Sequence, residues 1–177
     1  MTIVGFTNYA MELNRLLSAS AALPLTQAKL KSQGDPAILL SSKLFPNARH
    51  PEAALAGLLL RLGQWEQAHT VAQDISTAEG SYWHGIVHRI EPDSGNASYW
   101  FRRVGTHAIF PELLHRAADI LKDRAPQHWR LKNAWDPFLF IDWCDEARKA
   151  GGEAEAAAVA IQMAEWQLLL DYCANSS

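Results

Sequence analysis

His84, His88 and Glu91 stand at i, i+4 and i+7 of one stretch patterned for a helix. At about 100° per residue they fall on one face within roughly 60° of each other. Two imidazoles one turn apart can put nitrogens on a single ion, and a carboxylate from Glu91 or Asp93 can complete the set. His84, His88 and Glu91 are therefore candidate ligands for a divalent metal. The same histidines are also material for acid–base catalysis, an imidazole titrating near neutrality beside a carboxylate. His84, His88 and Asp93 are the candidate catalytic groups, with Arg102 or Arg103 placed to hold developing negative charge.

A third chemistry draws on the arginines. Arg89, Arg102, Arg103 and His107 converge if residues 80–107 fold as a helical hairpin. Arginine's planar fork suits carboxylate or phosphate. Tyr82, Trp83, Tyr99 and Trp100 would wall such a pocket with aromatic surface. The candidate ligand-binding residues are thus His84, His88, Arg89, Tyr99, Arg102, Arg103 and His107, for a small anion or an acidic peptide. A purely structural role competes with all three. Arginines and acids at these spacings can pair with each other, as in Arg89 or Arg102 with Glu91 or Asp93, and the aromatics can be core. No GxSxG elbow and no phosphate-cradling glycine loop accompanies the histidines, so no reaction is named. The leading expectation is a non-catalytic ligand-binding or protein-interaction domain. The alternative is an enzyme working through His84 and His88.

Helices must hold these groups. The histidine helix opens at Gly80 or Ser81, carries Trp83, Ile86, Val87 and Ile90 on an apolar face, and stops at Pro92. That face lies roughly 110–120° from the histidines, which puts them at a groove edge. Pro92 disfavours helical geometry at Glu91 and weakens it as a third ligand. Asp93-Ser94-Gly95 turns the chain, and Asn96–Val104 returns to Gly105. Upstream, the spacing predicts helices over 8–22, with Asn8 as cap, and over 51–63, joined by a short connection to 65–75. Asp35-Pro36 caps a short helix through Ser42, and 26–31 makes a helical turn. Downstream, 111–122 is amphipathic. Asp136-Pro137 caps a helix with Phe138, Ile141, Cys144 and Ala147 inside, and 153–173 is the longest helix. Asp142 is expected to pair with an arginine of the central stretch, and Glu165 to reach the same place. Residues 127–130 read as an exposed loop. No segment alternates with period two, so the fold class is all-α: antiparallel helical hairpins in one domain over 1–177.

Internal repetition supports the hairpins. Gly63-Gln-Trp-Glu-Gln-Ala68 aligns with Pro92-Asp-Ser-Gly-Asn-Ala97 and with Gly151-Gly-Glu-Ala-Glu-Ala156. In each, a helix stops, a tight turn follows, and a small residue lets the next helix approach closely. LLLRLGQWEQAHTVAQDI resembles the turn and second helix of a tetratricopeptide repeat, and DSGNASYWFRRVG resembles the same element. The resemblance covers 52–105 and extends to the hairpin over 136–173. It implies a stacked-hairpin architecture and carries no peptide-binding residues with it. The string YWHGIVHRIEPDSGNASYWFRRVG also resembles an uncharacterised protein family, which brings no activity.

Bulk charge narrows the partners. Sixteen Lys and Arg against nineteen Asp and Glu leave a net charge of −3. That gives no reason to expect nucleic acid or a membrane surface. Length fits one core-forming domain. Cys144 and Cys173 sit in apolar stripes of different helices and read as structural thiols. The N-terminus lacks the pattern of a signal peptide, and the expected compartment is the cytoplasm. Oligomeric state is not legible.

Overall fold

The computed structural model describes residues 17–18, 20–35, 37, 39, 44–45, 47–124, 126 and 128–175. Seven helices are bounded there: α1 (Pro51–Arg61), α2 (Trp65–Asp74), α3 (Ala78–Ile90), α4 (Ser94–Val104), α5 (Phe110–Arg124), α6 (Pro137–Ala150) and α7 (Gly152–Ala174). A single 3-10 turn, Gln27–Lys29, precedes them. No described residue is in a strand, and no described helix is long and apolar enough to cross a membrane. The all-α class holds, with α1 packed on α2 and α3 on α4. The helix over 8–22 and the one after Asp35-Pro36 fall largely outside the described residues.

Local chemistry fixes the ends. Thr77 caps α3 by accepting from the Gly80 N–H, Asp93 caps α4 through Asn96, and Asp136 caps α6 by accepting from Phe138 and Leu139. Gly105 and Gly151, both at φ +65°, close α4 and α6 in the left-handed region that favours glycine.

The histidine helix is more central than its pattern implies. Every residue of α3 from Glu79 to Ile90 is buried, polar ones included. It packs on α1, α2 and α4. Two glycines set those approaches. A Cβ on Gly57 would lie 2.5 Å from the Trp83 ring, and one on Gly85 would lie 2.9 Å from the Phe101 ring. Trp166 of α7 ties in by donating from Nε1 to the Gly57 carbonyl at 2.8 Å.

Apolar residues gather in two clusters. One joins α1–α4 to Trp166, Leu169, Leu170 and Cys173 at the far end of α7. The other joins α5 and α6 to Ala154, Ala157, Ala158 and Ile161 at its beginning. A continuous stripe at helical spacing, from Ala154 through Cys173, lets α7 serve both. Arg148 adds a polar tie, its Nη1 donating to the carbonyls of Leu25 and Arg89 at 3.0 and 3.1 Å.

Several side chains depart from the sequence expectation. Ala68 and Ala97 are fully buried, as the repeat alignment requires, whereas Ala156 is exposed and its neighbours Ala157 and Ala158 make the contact. Phe138 and Asp142, one turn apart, share an outward face of α6, so Asp142 meets no arginine of the central stretch. Trp129 is buried and stacks on Trp143 at 4.8 Å, and its indole N–H donates to Glu146 at 3.0 Å. That part of 127–130 is core rather than exposed loop.

Candidate metal centre

Three histidines meet between α2 and α3. Spaced one turn apart, His84 and His88 stack at 4.8 Å, their planes 16° apart. His69 of α2 comes edge-on to both, at 4.6 Å from His84 and 5.2 Å from His88. One ring nitrogen from each lies within 4.8 Å of the others. The walls are aromatic. Trp65 stacks on His69 at 5.2 Å, and Trp100 of α4 stacks on His84 at 3.9 Å. Trp65 is itself pinned by an indole bond to the Val87 carbonyl at 3.3 Å.

The environment favours the neutral form of two of these rings, His84 and His69. Burial, reinforced by the neighbouring His69 and His88, pulls His84 down to about 3. Burial likewise lowers His69, with His88 adding to it and Glu91 opposing. Both ring nitrogens of His84 are buried with no hydrogen-bond partner. An unmet buried polar group costs about 1–3 kcal/mol, and no described group hydrogen-bonds to this ring.

Glu91 takes a supporting place. At φ −70° and ψ 0° it stays in helical geometry in spite of Pro92. Its Oε2 lies 2.8 Å from His88 Nδ1. A carboxylate on one nitrogen of a histidine fixes the ring and its tautomer for a ligand on the other. The geometry gathers His69 with His84 and His88 into one three-histidine group, with Glu91 beside His88. A second group, His88, Glu91 and Asp93, also lies within 4.8 Å. There Asp93 is already engaged, accepting from Asn96 N at 3.0 Å and Asn96 Nδ2 at 2.7 Å. Those two bonds hold its carboxyl below the usual range.

The expected anion pocket is not gathered in one place. Arg89 is buried on the opposite side of α3, where its Nη2 donates to Glu165 and, at 3.3 Å, to Gln162 Oε1. Tyr82 donates to the other oxygen of Glu165 at 3.0 Å, and the Arg89 guanidinium sits 4.5 Å from the Phe140 ring. Arg89 is thus committed to α7, not to Glu91 or Asp93. Tyr99, Arg102 and Arg103 are exposed on α4, where Arg103 covers Trp100 at 5.2 Å. His107 lies at the other end of α3, 3.7 Å from Glu79, whose Oε1 is 3.6 Å from His50. Glu165 does reach the central stretch, as its sequence position suggested.

His69 is the residue that the sequence reading missed. Its signal was present, a histidine one turn after Trp65 on the helix preceding His84, but it needed the pairing of α2 with α3. No protein-family model, curated protein or solved structure matches the chain.

Proposed function

We propose that the protein is a ligand-binding helical domain whose ligand site is a transition-metal ion held by His69, His84 and His88. The observation that carries this reading is the buried His84 ring with two unpartnered nitrogens inside a three-imidazole cluster. Neutral imidazoles suit Zn²⁺ and its late first-row neighbours. Zinc–nitrogen bonds of about 2.0–2.1 Å in a tetrahedron need nitrogen separations of roughly 3.3 Å, so nitrogens within 4.8 Å of one another close by at most about 1.5 Å on loading. Three neutral ligands leave the ion's charge uncompensated and a fourth position open. A small anion, carboxylate or water fits there, which keeps the anionic ligand of the sequence reading and gives it a different anchor.

An enzyme using His84 as an acid or base is the weaker reading. A general acid or base works best with its pKa near the working pH, and burial holds this ring far below that. The antiparallel pairs α1–α2 and α3–α4, with Ala68 and Ala97 buried at equivalent turns, support a tetratricopeptide-like stack. Two buried free thiols, each raised to about 12 by burial, support a reducing compartment such as the cytoplasm.

The test is metal content and Co²⁺ absorption of protein stripped with chelator and reloaded. Wild type takes up one equivalent with a tetrahedral visible spectrum, and His84→Ala and His69→Ala do not. Glu91→Gln binds about 10–100-fold more weakly. A wild type that takes up no more than His84→Ala overturns the proposal.

A further inference from the structure

Three described arginines lie largely inside the protein, and Arg148, paired with Asp145, already has a counter-charge. Arg89 is neutralised by Glu165. Arg61, in the last turn of α1, has no carboxylate partner among the described residues. Its Nη2 donates to the Ser20 carbonyl at 3.0 Å, and its guanidinium stands 5.4 Å from the Trp166 ring. Its Nε and Nη1 are buried with no acceptor. Burial lowers it from the usual arginine range to about 10.

A buried cation without an anion is among the costliest arrangements a fold can keep. Beside this one is a cavity of about 100 Å³. Arg61, Lys29, Lys31 and Gln33 line it together with Leu23 and Pro24, and none of its described lining residues is acidic. Lys29 is drawn to Glu155 at 2.5 Å, while Lys31 is exposed at the rim. The volume is several times a water's share of about 30 Å³, enough for a group of four or five heavy atoms.

We propose that this cavity between α1 and the 21–33 segment is a binding site for a small oxyanion, phosphate or carboxylate, with Arg61 as its buried counter-charge and Lys31 at its mouth. The site is separate from the histidine cluster. An anion there takes the guanidinium donors that no protein group meets, and a charge-assisted bond in a partly dehydrated place is strong.

Thermal unfolding tests it, in chelator so that no metal contributes, with inorganic phosphate against chloride at matched ionic strength. Wild type shows a saturable rise in midpoint with phosphate, as expected for a ligand of the folded state. Arg61→Met keeps the apolar stem beside Trp166, is at least as stable as wild type without phosphate, and loses the rise. Lys31→Gln, a change at an exposed position, shifts the phosphate half-point upward. A parallel acetate series decides between the two anion classes, since the preferred one saturates at lower concentration. Equal midpoints in phosphate, acetate and chloride overturn the proposal. So does a full phosphate response in Arg61→Met or, if that variant does not fold, an unshifted half-point in Lys31→Gln.

Discussion

At the scale of single residues, His84 decides the chemistry. Its folded-state pKa of about 3 lies below the ordinary value of 6.5, so the folded protein prefers the neutral ring. The stability from this preference is complete above pH 6.5 and is lost as pH falls from 6.5 toward 3, because the unfolded chain takes up the proton first. The expected slope for one proton is about 1.4 kcal/mol per pH unit in that window. His69 and His107, also lowered by burial, act in the same direction. His84→Phe, which can keep the stack on Trp100, should remove one proton's worth of slope. Denaturant unfolding of metal-free protein between pH 7 and 4 checks it, and an unchanged slope in His84→Phe contradicts it. The pair His84 and His88 was legible because four residues make one helical turn. Asp142 was misread for the same kind of reason: its apolar neighbours suggested burial, but Phe138 one turn before it also faces outward.

At the scale of elements, α3 owes its central position to partners far away in the chain. Arg89 meets Glu165 across 76 residues of sequence. Removing one member of a buried ion pair leaves the other uncompensated, at about 3–5 kcal/mol. Glu165→Ala should therefore destabilise strongly, while the double change Arg89→Met with Glu165→Leu costs less than the single one. Urea unfolding of the single and double variants measures this, and additive losses would contradict it. The close of α4 at Gly105 and both ends of α6, at Asp136 and Gly151, were readable because caps act on backbone within a few residues. By contrast, α3 and α4 begin at Ala78 and Ser94, earlier than the sequence suggested. The all-round burial of α3 was not readable. Ser81, His84, His88 and Arg89 look like an outer face until α2, α4 and α7 cover them.

At the scale of the molecule, α7 couples the two apolar clusters. Its first turns belong with α5 and α6 and its last turns with α1–α4. Neither cluster can lose its packing without exposing part of the same helix. The expected outcome is a single cooperative transition, with circular dichroism and tryptophan fluorescence coincident in urea. Separated midpoints would mean that α7 frays between the clusters. The all-α class followed from the sequence because helical spacing and turn residues recur along the whole chain. The joining of the clusters did not, since it depends on which portion of one long stripe meets which hairpin.

Trp65 and Trp100 cover the histidine cluster on two sides, while Trp129 and Trp143 stack on each other in the other apolar cluster. The protein thus has its own optical reporter and its own internal reference. A paramagnetic ion such as Cu²⁺ held by the three imidazoles would quench the emission of the two covering indoles at contact range and spare the pair stacked in the other cluster. Titration should extinguish one fraction of the emission at one equivalent and leave the remainder unchanged. Trp100→Phe should shrink the fraction that responds without altering the stoichiometry.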